Sequence, residues 1–197
     1  MHRPPFSTRS ILPLCASILT VSLGLAGPVP QSANHKEKSM FRIKATAFPE
    51  YGNIPARFTC EGENISPKLT WEGAPAGTKT FALIVDDPDA PKAGGFTHWV
   101  AFNIPATVKE EQENVPGNQP LPGGGVQGTN DAGNVGYTGP CPPSGTHRYY
   151  FRLYALDRDL ELPAAISRDQ LDKAMRGHVL AKAELMGKYK KASGKAA

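Results

Sequence analysis

The stretch KTFALIVDDPDAPKAGGFTHWVAFNIP, residues 79–105, reads as two strands joined by a stiff turn. FALIV and THWVAFNI are short runs rich in β-branched and aromatic side chains, the composition of strands. Between them, Pro88 and Pro91 with interposed aspartates fix the backbone, and Asp side chains cap such turns by accepting nearby N–H groups. A Gly-containing turn then returns the chain through Thr97-His98-Trp99. Asp87 and His98 therefore flank one loop, at the same end of neighbouring strands. A carboxylate beside an imidazole sets its tautomer and raises its pKa, so an Asp87–His98 pairing is expected.

Working outward, FRIKATAF (41–48) and HRYYFRLYALD (147–157) read as further strands, separated by Gly/Pro/Asn turns. The residues from Val115 to Gly145 hold too much Pro and Gly for a regular element and predict a surface loop of functional interest. Helical character is confined to the end. Ser167 with Gln170 forms a capping box, and Leu171, Met175, Val179, Ala183 and Met186 share a helical face, with a break or kink at Gly177. The expectation is one mainly β domain, a sandwich with short C-terminal helices.

The turn GPCPPSGTHRYY (139–150) is held by Gly139, Pro140, Pro142, Pro143 and Gly145 just before a strand. Alternation puts His147, Tyr149 and Phe151 on one face and Arg148 and Tyr150 on the other, with Arg148 seeking a carboxylate elsewhere. Each polar residue also has a structural reading: the aspartates as turn caps, the histidines as satisfied strand-end residues. Ser144 lacks the strand-turn-helix elbow of a catalytic serine. No HxH, HxxxH or CxxC spacing supports a metal.

The first 26 residues differ from the rest. Arg3 and Arg9 precede an apolar run from Ile11 to Ala26, and Gly24-Leu25-Ala26 offers a small-x-small site, the order of a secretory signal. The run is short of the ~20 apolar residues of a spanning helix. Export to a periplasmic or extracellular space is expected, with no transmembrane segment in the mature chain, a polar linker over 27–40 and a basic tail over 191–197. Cleavage after Ala26 leaves 20 of the 22 Lys+Arg and all 18 Asp+Glu, so the net charge falls from +4 to +2. Four of those lysines, Lys188, Lys190, Lys191 and Lys195, lie in the last ten residues of the chain. The basic excess belongs to the two ends, which removes the support for a nucleic-acid partner. Cleavage also leaves two cysteines, Cys60 and Cys141, and an even pair in an oxidising compartment reads as a disulfide. It would close a loop of about 80 residues, stabilising by roughly 4 kcal/mol in the chain-entropy estimate.

DPDAP, then HWVAFNIP, then GPCPPSGTHRYYFRLYAL, with the lead-in TCEGENISPKLTWEGAPAGTKTFAL, resembles the phosphatidylethanolamine-binding protein family, most of all its bacterial Raf-kinase-inhibitor-like branch. The resemblance covers about residues 41–190. It implies a β-sandwich with a small pocket for phosphate-like groups, phospholipid head groups included, and no cofactor. Carried over residue by residue, the pocket takes Asp87, His98, Gly139, Pro140, Pro142, Pro143, His147 and Tyr149. Pro and Gly would pre-set backbone donors so that little order is lost on binding. The resulting expectation is a non-enzymatic binding protein for a small anionic ligand or phospholipid head group. A hydrolase built on Asp87, His98 and His147 is the alternative. A third reading has residues 116–146 inhibiting a protein partner, such as a peptidase or kinase.

Overall fold

The computed structural model describes residues 40–192. The expected leader, nearly all of the expected linker, and the tail beyond 192 lie outside the described residues. Among the described residues eight strands form two antiparallel sheets. The smaller holds β1 (Arg42–Ala45), β2 (Leu69–Glu72) and β5 (Glu110–Glu111) in the order β1-β2-β5. The larger holds β3 (Thr80–Asp87), β4 (Phe96–Pro105), β6 (Val126–Gln127), β7 (Thr146–Leu156) and β8 (Val179–Lys190) in the order β6-β4-β3-β7-β8. One helix, α1 (Arg168–Ala174), carries the Ser167–Gln170 capping box expected from the sequence. Among the described residues no helix is long and apolar enough to cross a membrane.

β3 is a continuous apolar run because both of its faces are covered. Phe81, Leu83 and Val85 enter the core between the sheets, against Ile43, Leu69 and Trp71 of the smaller sheet. Ala82 and Ile84 face a second core closed by Leu160, Ile166, Leu171 and Met175, which seats α1 on the outer face. Each such fully buried aliphatic or aromatic side chain contributes roughly 1.5–3 kcal/mol. Asp86, on the second face and buried, accepts from Arg152 of β7 and pairs with Arg168 of α1 at 3.3 Å, tying the helix to the sheet.

The pairing of β3 with β4 is interrupted twice. Leu83 pairs with Ala101 but Phe81 with Ile104, and Val85 pairs with Trp99 but Asp86 with Thr97. Each interruption is a bulge that inserts one residue and exchanges the faces of those beyond it. At the first, Asn103 takes a left-handed φ of 53°. Its amide clamps Leu160, accepting from that residue's N–H at 2.8 Å and donating to its carbonyl at 2.9 Å. At the second, the inserted residue is His98.

The expected helical face through Val179, Ala183 and Met186 does not form. The helix ends at Ala174, Gly177 turns at φ 80°, and residues 179–190 are a strand paired along β7. The 3.6-residue spacing is real only as far as Met175. From Ala181 onward Ala183, Leu185 and Tyr189 alternate with Lys182, Glu184, Lys188 and Lys190, and the period of two wins because β7 presents an open edge to pair with.

Candidate functional site

The ends of β3, β4 and β7 meet a loop over residues 138–143 around a cavity of about 300 Å³. Alternation along β3 places Asp87 on the same face as Phe81, Leu83 and Val85, the polar end of an apolar row. Alternation along β7 does the same for His147 ahead of Tyr149, Phe151 and Leu153. Strict alternation along β4 would send His98 to the opposite face from Trp99. The bulge turns it back, so that His98 joins Asp87 and His147 in the cavity wall.

The acid–imidazole pair is not the expected one. His147 Nδ1 donates to Asp87 Oδ2 at 2.7 Å, and Asp87 Oδ1 accepts the Asp89 N–H at 2.8 Å. His98 instead points Nδ1 at the Thr138 carbonyl, 2.8 Å away. The expected rise in the His98 pKa is reversed as well. Burial pushes it down, and the Thr138 carbonyl, the Asp87 and Asp131 carboxylates and the Gly139 carbonyl offset this only in part. His98 is 4% exposed and His147 8%.

Of the remaining expected site residues, Gly139, Pro142 and Pro143 line the cavity. Among the loop's backbone donors, Gly139 does not lend its N–H to the pocket. That N–H donates to Asn64 Oδ1 at 2.7 Å, and a Cβ at 139 would stand 2.4 Å from the Phe58 carbonyl oxygen. Glycine is needed there for close approach to the segment behind the loop. Pro140 is turned away, its carbonyl accepting the Cys60 N–H at 3.1 Å. Tyr149 stands behind the wall, edge-on to His98 with centroids 5.2 Å apart. Its hydroxyl is buried without a hydrogen-bond partner, and burial with the adjacent Asp87 carboxylate raises its pKa.

The loop is anchored from outside. Cys60 and Cys141 are joined in a disulfide with Cα atoms 5.4 Å apart, and the Tyr137 hydroxyl donates to the Phe58 carbonyl at 2.8 Å. Across the cavity, Arg148 grips Asp89 in a two-pronged pair at 2.6 and 2.9 Å, the carboxylate that alternation required it to find. Sequence reasoning missed Phe96, Thr138 and Ala132 in the wall. Phe96 was within reach of it, since it opens β4 opposite Asp87. Ala132 comes from the long loop and has no local signature. Among the described residues no cluster of His, Cys, Asp and Glu has the geometry of a metal site.

The sequence model of the family described as phosphatidylethanolamine-binding protein matches residues 44–190. A UPF0098 protein of Methanothermobacter thermautotrophicus is 55% identical over 149 residues, which span 76% of this chain and 98% of the relative. One from Pyrococcus horikoshii is 42% identical over 196 residues, spanning 95% and 92%. Two crystal structures are similar. A phosphatidylethanolamine-binding protein homologue from Chlamydia trachomatis superposes with a TM-score of 0.71 at 39% identity, over 77% of this chain and 98% of that one. E. coli YbcL, described as a member of the mammalian family, gives 0.72 at 36% identity, over 77% and 99%.

Proposed function

Because the chain belongs to the phosphatidylethanolamine-binding protein family, we propose that it is an exported, non-enzymatic binding protein whose pocket takes a phosphate-like group, free or displayed on a larger molecule. The observation that carries this reading is the pair of imidazoles in one cavity wall, each fixed through Nδ1, with Asp87 beside His147. With Nδ1 committed, Nε2 is the ring nitrogen each histidine has left for a ligand. An imidazolium at His147 donates a charge-assisted hydrogen bond to an anion, while Asp87 offsets its charge. The apolar remainder of the wall, with Phe96, Pro142 and Pro143, suits the carbon portion of an organic phosphate. Support for export comes from the basic-then-apolar first 26 residues and from the disulfide, which persists in an oxidising compartment.

The test is calorimetric titration of inorganic phosphate, phosphoethanolamine and a short-chain phospholipid at pH 5.5 and pH 8. Binding should be tighter at pH 5.5 than at pH 8, because an imidazolium donates to an anion more strongly than a neutral imidazole does. It should be lost in His147→Ala. Absence of binding at both pH values would move the function away from the pocket. The Asp87–His147 pair also has the arrangement of a general base, so hydrolysis of p-nitrophenyl phosphate under the same conditions separates binding from catalysis.

A further inference from the structure

We infer that the pocket selects oxyanions that still carry a proton, phosphomonoesters in their singly charged form, over phosphodiesters and sulfates of the same size. The inference rests on the anion-pocket reading and sharpens it. Among the described residues no Lys or Arg lines the cavity, and the one carboxylate side chain in its wall is Asp87. The basic residues of the flanking loops are already paired, Lys92 with Asp131 at 2.6 Å and Arg148 with Asp89 at 2.6 Å. The Gly139 N–H is taken by Asn64. The two imidazoles are the wall's remaining ionisable side chains, alongside the neutral Thr138 hydroxyl and the backbone N–H groups of Ala90 and Cys141.

They are not equivalent. The Thr138 carbonyl can only accept, so the His98 proton sits on Nδ1 and Nε2 is a lone pair in the wall. Charging that ring would require a buried cation. Asp87, Asp131 and the two loop carbonyls face it, the ring edge of Tyr149 packs against it, and burial still outweighs their pull. An unprotonated ligand oxygen at this nitrogen would set lone pair against lone pair, whereas a P–OH donates to it. At His147 the opposite holds: Asp87 supplies the countercharge, and Nε2–H as imidazolium donates to P–O⁻. One acceptor and one charged donor match a singly protonated phosphoryl group. A diester and a sulfate lack the P–OH, as does the phosphate of an intact phospholipid, which meets this nitrogen only through an N–H or O–H elsewhere in its head group.

Methyl phosphate, dimethyl phosphate and methyl sulfate separate these cases. At pH 5.5 all three carry about one negative charge, a monoester's second pKa being about 6, and methyl phosphate alone has an acidic O–H. Titrated at fixed ionic strength, methyl phosphate should bind about tenfold or more tighter than the other two. In His98→Gln, whose amide can donate as well as accept, the three affinities should converge. Equal affinities in the unaltered protein would overturn the selectivity while leaving an anion pocket that reads charge alone. No binding by any of the three, or by inorganic phosphate, would overturn both. Ring ¹⁵N shifts of the free protein at pH 5.5 test the premise without a variant. They should show His98 neutral with its proton on Nδ1, and an imidazolium at His98 would sink the inference.

Discussion

Asp89 holds two parts of the site together at once. Its carboxylate accepts from the backbone N–H and the guanidinium of Arg148, and so fixes the DPDAP turn to the start of β7. The Arg148 hydrogen bonds, against the opposing effect of partial burial, lower its pKa to about 2. A carboxyl depressed on folding adds stability above its unfolded pKa, about 3.9, and loses it as the pH falls toward 2. Arg148 is half exposed, so solvent screening limits the gain to about 1 kcal/mol. Urea unfolding of the wild type should weaken by that amount between pH 5 and pH 2, and Asp89→Asn should flatten this part of the profile. At the neighbouring Asp87, replacement by Asn keeps an acceptor for His147 Nδ1 but removes the countercharge. Phosphate affinity at pH 5.5 should fall about tenfold or more, with the fold retained by circular dichroism. The residues of this site were legible one by one in the sequence, and their partnership was not. Asp87 and His98 flank a single turn, which suggested a pair. The bulge at His98 turns that ring toward Thr138 and leaves Asp87 to a histidine 60 positions away, and nothing in a run of alternating residues announces an inserted one.

At the scale of elements, β3, β4 and β7 were readable because each strand is long, apolar on at least one face and bounded by Pro or Gly. β8 was misread because its first residues continue the spacing of α1, although its second half alternates plainly. Gly187 occupies an inward position of that alternation. A Cβ there would come within 2.7 Å of Ile54 Cγ1 and 2.8 Å of Phe48 Cε2. Gly187→Ala should therefore cost about 1–3 kcal/mol by overpacking, measured by chemical denaturation. β5 carries a different tension. Glu111 is 1% exposed with one carboxylate oxygen lacking any partner, and burial raises its pKa to about 7. For an acid raised on folding the sign reverses from that of Asp89. Stability is complete below the unfolded value of about 4.3 and declines as the pH rises through 7. Glu111→Gln should remove that decline, on the order of 2 kcal/mol between pH 4.5 and pH 8.

Across the whole molecule, the outer wall of the cavity is tied to the segment around residues 58–64 in four ways. One is the disulfide; the others are the hydrogen bonds from Tyr137 to Phe58, from Gly139 to Asn64 and from Cys60 to Pro140. These ties do different things. The bridge joins cysteines 81 positions apart, so its effect falls mainly on the unfolded chain, where it removes roughly 4 kcal/mol of loop-closure freedom. The hydrogen bonds act in the folded state and hold the Thr138 carbonyl where it fixes the His98 ring. The Cys60→Ser, Cys141→Ser double variant should lose about 2–4 kcal/mol of stability yet keep its phosphate affinity within a few-fold, because all three hydrogen bonds survive it. Asn64→Ala should do the reverse. It leaves the bridge intact and costs about 1 kcal/mol or somewhat more of stability, but it frees the Gly139 N–H and loosens the carbonyl that orients His98, so affinity should drop several-fold. Denaturation and titration on the two variants decide the matter together. If the double variant loses binding while Asn64→Ala retains it, the disulfide itself, rather than the hydrogen-bonded wall, sets the geometry of the pocket.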